Sequence, residues 1–337
     1  MTATIRDVAK EAGVGLGTVS RVLNNSPSVS EVTRLRVLDT IRKLNFVPNP
    51  TARKLSLGRT LSIAVIVPFF TRPSFIERLR GIENSLVESD YDLIIYNIET
   101  VERRDACMHE ILRGDRVDGV LILSLSPRDD DLPYLEKAEV PVVLVDANHP
   151  SLDFLNRVTV DDITGGRLAT QHLIDLGHTR IGFISDFLDT PFNFTSSRDR
   201  YLGYREALQA ADLPFRPQYH EQGEHGRFEA YFSALEMLAL PERPTAIFAA
   251  SDTQAMGVLQ AARELGLNVP EDLSVIGYDD IEVSEYLCLT TVRQLLYESG
   301  QRGVELLLTI MTIPTVKPVH EVLPVELIVR ETTAPPG

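Results

Sequence analysis

The sequence predicts a small all-α head followed by a larger α/β body made of two parallel-sheet lobes. Three observations support this fold class. Residues 4–25, TIRDVAKEAGVGLGTVSRVLNN, carry apolar residues at helical spacing on two short segments separated by a glycine-containing break. Residues 61–337 alternate short apolar runs with amphipathic stretches, as in parallel strands connected by helices. Basic and acidic side chains are also divided unevenly between these two parts.

The totals exclude several classes of protein. The chain has 337 residues, of which 44% are hydrophobic and 24% charged, an ordinary globular composition with room for two or three domains. No apolar run approaches the roughly 18–20 residues of a membrane span, and the N-terminus lacks the pattern of a secretion signal. Cys107 and Cys288 do not indicate a disulfide framework. We therefore expect a soluble cytoplasmic protein with no membrane partner and with two buried free thiols.

The charge distribution favours a polyanionic partner at one end. The formal net charge is −15, yet residues 1–59 carry ten Lys and Arg against four Asp and Glu, a net of +6. The remaining residues therefore carry −21. A basic head on an acidic body is expected where the head meets DNA, although chance clustering on a solvated helical surface gives the same numbers.

The head is predicted to contain three short helices that pack together. Thr4 is placed to cap the first helix and Gly13 to end it, and the apolar stripe between them consists of Ile5, Val8, Ala9 and Ala12. The second helix has a stripe of Val19, Val22 and Leu23. The third is predicted to begin after Ser30 and to use Val32, Leu35, Leu38, Ile41 and Leu44. Because each helix is too short to persist alone, the three predict a helix-turn-helix with a supporting helix.

The outer side of the second helix carries Gly17, Thr18 and Arg21. In a helix-turn-helix this side enters the major groove, where an arginine reaches guanine or a phosphate. Residues 46–60, FVPNPTARKLSLGRT, follow with a possible cap at Asn49 and one or two basic helical turns. These turns form only against a partner, or else the segment is a linker.

The head resembles the lactose repressor (LacI/GalR) family of bacterial transcription regulators, in TIRDVAKEAGV, TVSRVLN, VSEVTRLRVLDTIRKLNFVPN and ARKLSLGRT. The resemblance implies a recognition helix at 16–23 and a hinge helix at 49–57 that folds when two subunits lie on the minor groove. Leu55 then matches the leucine that wedges into a central base step. The residues expected to contact DNA are Thr4, Leu16, Gly17, Thr18, Ser20, Arg21, Asn24, Asn49, Thr51, Ala52, Lys54 and Leu55.

Two glycines depart from the common family pattern. Gly15 stands where a serine often caps the recognition helix, and Gly17 stands where a base-reading side chain is common. Direct readout is therefore expected to depend on Leu16, Thr18 and Arg21.

The body is predicted to contain about eleven strands, too many for one comfortable sheet. Candidate strands lie at 61–67, 92–98, 118–124, 140–146, 180–185, 245–251 and 273–280, and candidate helices lie at 74–89, 161–176, 197–211, 227–240 and 252–266. The expected domains are a helix-turn-helix head (1–48), a hinge and linker (49–60) and an effector-binding and dimerisation body (61–337). By resemblance the body is periplasmic-binding-protein-like, with one lobe at about 61–159 plus 291–320 and the other at about 160–290 plus 321–337.

Polar residues follow several strands, at the sheet edge where α/β proteins bind ligands. They are Asp146, Asp186, Ser251, Asp252, Asp279 and Asp280, and Arg198 and Arg200 begin a nearby helix. Carboxylates, an arginine and loop phenylalanines suit a sugar, because charged groups chelate hydroxyls and rings stack on C–H faces. Single residues also have structural alternatives, since Asp280 suits a helix cap and Arg198 an ion pair with Asp199 or Asp186.

The family resemblance assigns effector contacts most directly to Asp279 and Arg200. The full set expected to bind effector is Phe70, Phe75, Ile76, Asp146, Phe192, Arg200, His225, Ser251 and Asp279. Signatures of hydrolases, P-loop nucleotidases and zinc enzymes are missing from the sequence, so we expect no catalysis, cofactor or metal.

The sequence therefore predicts a sequence-specific DNA-binding regulator, and more narrowly a repressor, whose operator affinity responds to a sugar. The alternatives are a soluble sugar-binding receptor on the same bilobal fold and a sugar- or phosphate-processing enzyme. The short ending ETTAPPG offers no leucine heptads, which favours a homodimer over a tetramer.

Overall fold

The computed structural model describes residues 3–24, 26–47, 58–313 and 317–337. Its residues form two compact units, Met1–Thr60 and Leu61–Gly337. Five residues expected to contact DNA from the hinge lie outside the described residues: Asn49, Thr51, Ala52, Lys54 and Leu55. Across the described ranges, no helix is long and apolar enough to cross a membrane. Both cysteines are free, Cys107 buried and Cys288 partly exposed.

The head contains three helices, α1 (Ile5–Glu11), α2 (Leu16–Leu23) and α3 (Glu31–Lys43). The Thr4 hydroxyl accepts from the backbone N–H of Asp7, whose carboxylate in turn accepts from the backbone of Thr4, so α1 begins in a capping box. Gly13 has φ +65°, a left-handed conformation that lets the chain turn between α1 and α2. Gly15 caps α2 without any side-chain bond, as expected for glycine at this position.

The core of the head joins the three helices through Val8, Ala9, Ala12, Val19, Val22 and Val37. Leu38, Ile41 and Leu44 pack against this core, but Val32 and Leu35 are 76% and 59% exposed. The expectation for these two residues is therefore wrong. The helical period that brings Val37, Ile41 and Leu44 inward turns Val32 and Leu35 toward the opposite side.

The first lobe of the body is built on a parallel sheet of order β11-β5-β4-β3-β1-β2. Its strands are β1 (Ser62–Pro68), β2 (Asp92–Ile98), β3 (Gly119–Leu123), β4 (Val142–Val145), β5 (Asn156–Val160) and β11 (His320–Leu323). One face packs on helices α4 (Pro73–Leu86) and α12 (Leu296–Thr312), and the other packs on α5 (Val101–Glu110) and α6 (Leu132–Glu136). The central strands are buried along their whole length because both faces are covered.

The second lobe is built on a sheet of order β12-β10-β9-β8-β6-β7, in which only β12 is antiparallel to its neighbour. The strands are β6 (Ile181–Asp186), β7 (His220–Gly223), β8 (Ala246–Ala249), β9 (Ser274–Asp279), β10 (Thr290–Gln294) and β12 (Val325–Ile328). Its helices are α7 (Asp162–Asp175), α8 (Ser196–Ala210), α9 (Arg227–Leu238), α10 (Asp252–Glu264) and α11 (Glu282–Tyr286). Helices α7 and α8 cover one face, and α9 and α10 cover the other.

The chain passes between the lobes three times, at positions that differ slightly from the expected ones. Strand β5 pairs within the first sheet, so the first lobe extends through residue 160, close to the expected end at about 159. Strand β10 pairs with β9, so residues 291–294 belong to the second lobe, and the chain returns to the first lobe after Gln294 rather than at about 291. The last passage falls between β11 and β12, at Pro324. Strand pairing over long sequence separations fixes these switch points, and local apolar patterns do not encode it.

Candidate functional site: a cleft between the two lobes

A cleft lies at the carboxyl ends of the strands of both sheets, where open α/β folds bind ligands. The cleft encloses about 510 Å³ including space open to solvent. Its lining residues are Arg72, Ser74, Phe75, Arg78, Ser124, Asp146, Asp186, Phe194, Ser196, Ser197, Arg200, His225, Ala250, Ser251, Asp279 and Gln294. Three arginines, three aspartates and several hydroxyls thus face a space that two phenylalanines also border.

Arg200, near the start of α8, is the central polar residue of the part of the cleft that the second lobe contributes. It is 5% exposed, and its Nε donates to Asp162 at 2.8 Å while its Nη1 donates to the carbonyl of Ala250 at 2.6 Å. The same Nη1 lies 3.6 Å from a carboxylate oxygen of Asp279, and the guanidinium stacks 3.7 Å from the ring centre of Tyr278. Burial opposes the charge on Arg200, but these two carboxylates raise its pKa.

Asp279 ends strand β9 in a strained conformation that directs its carboxylate into the cleft. The residue has φ +115°, which is costly for a side chain with a Cβ atom. It is 6% exposed, and its Oδ1 accepts a short hydrogen bond from the side-chain amide of Gln294. Burial raises the pKa of Asp279, and the nearby Arg200 opposes that rise. Backbone strain at a position that faces a ligand cleft is expected of a residue that binds the ligand.

Arg78 supplies the matching group from the first lobe. It is buried on the inward side of α4, with Nη2 2.8 Å from Asp146 at the end of β4. The same Nη2 donates to Gln294 at 2.9 Å, and Nη1 donates to the Ser124 hydroxyl at 3.3 Å. Because Gln294 also bonds Asp279, a continuous chain of polar contacts joins the charged groups of the two lobes.

Asp186 forms a second polar centre at the end of β6. It accepts from His225 Nδ1 at 3.0 Å and from the side-chain amide of Gln254 at 3.0 Å. Burial would raise the pKa of Asp186, but the hydrogen bond and charge of His225, with the charges of Arg72 and Arg200, hold it below the usual value. Asp186 is therefore an ionised acceptor facing the cleft.

Ser251 and Asp252 stand together after β8 but differ in what they face. The Ser251 hydroxyl lines the cleft and accepts from the backbone N–H of Gln254, which caps α10. Asp252 is fully buried and accepts from the hydroxyls of Ser284 and Thr291. Burial, reinforced by the charge of Asp279, raises the pKa of Asp252 to about 7. Asp252 therefore stabilises the elements that surround the cleft through buried hydrogen bonds, but it does not line the cleft itself.

Six of the nine residues expected to bind effector line the cleft: Phe75, Asp146, Arg200, His225, Ser251 and Asp279. The other three lie elsewhere. Phe70 is 38% exposed beyond β1, and Ile76 is 42% exposed on the outer side of α4, next to the inward Phe75. Phe192 packs against the core of the first lobe. Among the described residues, no group of three or more metal-binding side chains could hold an ion.

The structural alternatives considered for two charged residues are also resolved. Asp280 does not cap a helix but pairs with Arg293 and Arg330, each at 2.7 Å. Arg198 Nε lies 3.7 Å from a carboxylate oxygen of Asp199, one of the two partners considered for it.

Sequence reasoning missed Arg78 and Gln294, which connect the two lobes. Arg78 lies one turn after Phe75 and one turn before Ile82, on the buried face of α4. A charge at a core position of an amphipathic helix is a usable signal, because such a charge needs a buried partner. Gln294 carried no comparable signal, since its role depends on pairing between β9 and β10.

The recognition helix presents the residues that the sequence assigned to DNA. Leu16, Gly17, Arg21 and Asn24 are exposed on or just after α2, whereas Val19 and Val22 are buried. Thr18 and Ser20 are partly exposed and Thr4 is exposed. Exposed groups on one side of a helix-turn-helix and a buried stripe on the other match the geometry of major-groove readers.

Comparison with known proteins agrees with this arrangement. Residues 4–49 match the lacI family of bacterial regulatory proteins, and residues 170–333 match the periplasmic binding protein-like domain. The chain is 36% identical to catabolite control protein A of Priestia megaterium, with 99% of this chain and 100% of that protein covered. It is 37% identical to the ribose operon repressor of Escherichia coli K12, covering 94% and 95% of the two chains.

Among solved structures, the lac repressor dimer bound to operator and the anti-inducer ONPF has a TM-score of 0.87 at 30% identity. The match covers 99% of this chain and 100% of that one. A helix-turn-helix head and a two-lobed ligand cleft define a DNA-binding transcriptional regulator. This chain belongs to the lacI family of bacterial regulatory proteins.

Proposed function

We propose that the protein is a homodimeric repressor whose affinity for operator DNA is controlled by an uncharged sugar bound between the two lobes. The observation that carries the proposal is the balanced polar lining of the cleft. Arg72, Arg78 and Arg200 face Asp146, Asp186 and Asp279 there, so the charges largely cancel within the site. A neutral ligand with many hydroxyls uses such donors and acceptors without adding an uncompensated charge.

The proposed ligand contacts are Arg200 and Asp279 from the second lobe and Arg78 and Asp146 from the first. Phe75 and Phe194 supply apolar surface for the C–H faces of a sugar ring. The ribose operon repressor among the relatives supports a sugar of this kind. The intact head argues against a receptor that binds sugar without DNA.

Control of DNA binding follows from the position of the ligand between two lobes. A ligand that touches both lobes favours one relative arrangement of them, and a homodimer transmits that preference to its paired heads. The coupling free energy equals the difference in effector binding free energy between the DNA-bound and the free protein. Operator and effector therefore change each other's affinity by the same factor. The lac repressor dimer on its operator supports this dimeric arrangement.

The test uses the full-length chain with D-ribose, other neutral monosaccharides, purine bases and sugar phosphates, each titrated by calorimetry. An operator is first selected from a random duplex library with the wild-type protein. We expect a neutral sugar to bind and to change operator affinity. Asp279→Ala should lose the sugar while retaining the operator, because the deleted carboxylate leaves its partners unpaired at about 1–3 kcal/mol or more.

Asp280→Ala is the matched control, because Asp280 is the adjacent carboxylate but pairs with Arg293 and Arg330 outside the cleft. It should bind sugar normally. Binding of purines alone, or equal sugar affinity in Asp279→Ala and wild type, would refute the sugar site.

A further inference from the structure

The segment 187–195 belongs to the second lobe but makes its tip contacts with the first. It connects β6 to α8, and its beginning is fixed to β7 by two backbone donors. The N–H of Phe187 donates to the carbonyl of Gly223 at 3.0 Å, and the N–H of Leu188 donates to the side chain of Gln222 at 3.0 Å. The root of the segment is therefore anchored within its own lobe.

Asn193, at the tip, donates across to the first lobe. Its side-chain amide lies 3.1 Å from the carbonyl oxygens of both Ser126 and Pro127, in the loop after β3. Asn193 has φ +58°, a left-handed conformation that asparagine tolerates better than most residues. Its backbone N–H donates to the carbonyl of Thr190 at 2.9 Å, which holds the tip in a tight turn.

The acceptor loop in the first lobe is held in place by a buried ion pair. Arg104 Nη2 donates to the carbonyl of Ser126 at 3.4 Å and to Asp131 at 2.6 Å, and both charged side chains are buried. Backbone groups already fixed in this way bind a partner with little further loss of conformational entropy.

Aromatic side chains add an apolar contact beside the hydrogen bonds. Phe192 and Phe194 pack against the core of the first lobe, and their rings stack at 5.5 Å with an interplanar angle of 10°. Phe69, at the end of β1, meets Phe192 edge-on at 5.3 Å. Phe194 also lines the cleft, so this contact lies directly beside the proposed ligand site.

We propose that residues 187–195 form a strap that latches the second lobe onto the first and stabilises the closed arrangement of the cleft. The three chain segments that cross between the lobes permit both an open and a closed cleft. The strap contacts, in contrast, exist only when the lobes lie together. The strap therefore supplies closing free energy without any ligand, and it increases the affinity of whatever ligand the closed cleft binds.

The test measures opening directly, by hydrogen exchange and mass spectrometry on the full-length chain without ligand. Asn193→Asp keeps the size of the side chain but replaces the donor with a carboxylate facing two carbonyls. When the lobes open and close faster than an exposed amide exchanges, the observed exchange rate is proportional to the population of the open state. We expect amides of the strap and of residues 124–128 to exchange about tenfold faster or more, since loss of two hydrogen bonds shifts such an equilibrium by at least that factor.

Asp189→Asn is the control, because it makes the reverse exchange of carboxylate and amide at an exposed position of the same segment. Its exchange should equal that of wild type, and peptides from β6 and α8 should stay protected in both variants. Phe192→Leu tests the apolar half separately and should accelerate the same two segments. Equal exchange in Asn193→Asp, Phe192→Leu and Asp189→Asn would overturn the strap. This result does not depend on the identity of the effector, so it is separate from the outcome of the sugar titrations.

Discussion

The head and the body place the side chains proposed to recognise DNA and effector in opposite physical settings. Arg21 and Leu16 stand exposed on α2, in a unit of net charge +6 over residues 1–59. Arg200, Arg78 and Asp279 are buried, and each is already paired with protein groups of the cleft. An exposed side chain gains its partner only when DNA arrives, whereas a buried one also holds the folded protein together. Truncation of an exposed side chain such as Arg21 should therefore affect binding alone, and loss of a buried cleft residue should affect binding and stability together.

The largest expected effect is that of Arg200→Ala on stability. Removal of this cation leaves Asp162 and Asp279 buried without their partner, which should lower the free energy of unfolding by about 3–5 kcal/mol. Arg198→Ala is the control, since that side chain is about half exposed and should cost about 0–1 kcal/mol. Urea unfolding of both variants measures the difference. Equal midpoints would show that the cleft charges contribute no more to stability than surface charges do.

A smaller effect, confined to DNA binding, is expected for Arg21→Ala. If Arg21 contacts a base edge, operator affinity should fall by about 1–3 kcal/mol while effector affinity and the unfolding midpoint stay unchanged. Lys43→Ala removes one positive charge from the same unit at a position paired with Asp39, and it should weaken binding less. Anisotropy titrations on the selected operator compare the two. An equal loss in both variants would mean that Arg21 acts through charge alone.

The body should also carry a pH dependence that comes from a buried histidine, a residue type that residues 1–60 do not contain. Burial, with a contribution from Arg205, lowers the pKa of His220 from 6.5 to about 4. The unfolded chain therefore takes up this proton more readily, so the contribution of His220 to stability is present above pH 6.5 and is lost as the pH falls toward 4. His220→Phe keeps the stacking on Tyr201, whose ring centre lies 4.4 Å away. It should reduce the acid-induced loss by about 1–2 kcal/mol. Unfolding curves of wild type and His220→Phe are measured at pH 7 and at pH 5. An equal loss of stability between these pH values in both proteins would show that the assignment is wrong.

The smallest expected effects concern the two glycines of the recognition helix. A Cβ atom added at Gly15 or Gly17 meets no heavy atom within 4 Å. Gly17→Ala should therefore stabilise the head by up to about 1 kcal/mol, and Gly15→Ser by a few tenths of a kcal/mol through capping. Thermal unfolding measures both. If the operator binding free energy of Gly17→Ala improves by no more than this stabilisation, glycine at position 17 makes no direct base contact. A loss of operator affinity would instead indicate that the backbone approaches the DNA closely at this position.

Local signals predicted the head well, because its elements are short and each carries its own start or stop. The caps expected at Thr4 and Ser30 agree with the structure. The same holds for the central strands of the body, whose apolar runs reflect burial on both faces. The bounds 16–23 of the second helix also agree, but they were implied by the family resemblance and not by local signals. The errors at Val32 and Leu35 arose because apolar spacing does not say which of two possible stripes faces the core.

The cleft was only partly predictable, since it joins residues that lie far apart in sequence. Strand-end carboxylates such as Asp146 and Asp279 could be found from the alternation of strands and loops. Gln294 and the Ser126 carbonyl could not, because their roles depend on which strands pair and which loops meet. Phe192 was noticed as an aromatic in a loop, but its partner, the core of the other lobe, was not visible in the local pattern.

The order in which the sheets are completed has a consequence for synthesis of the chain. Strand β11, the neighbour of β5 in the first sheet, follows β5 by about 160 residues in the chain. Strand β12, the neighbour of β10 in the second sheet, lies near the C-terminus. The head is therefore synthesised, and can fold, long before either sheet has its C-terminal edge strand, β11 or β12, and before α12 covers the first sheet. During that interval the nascent chain carries the basic, DNA-facing unit without a finished ligand cleft. Chains truncated before residue 320 would lack β11 and β12, one edge strand of each sheet, so a premature stop near the C-terminus should disable regulation far more than the number of missing residues suggests.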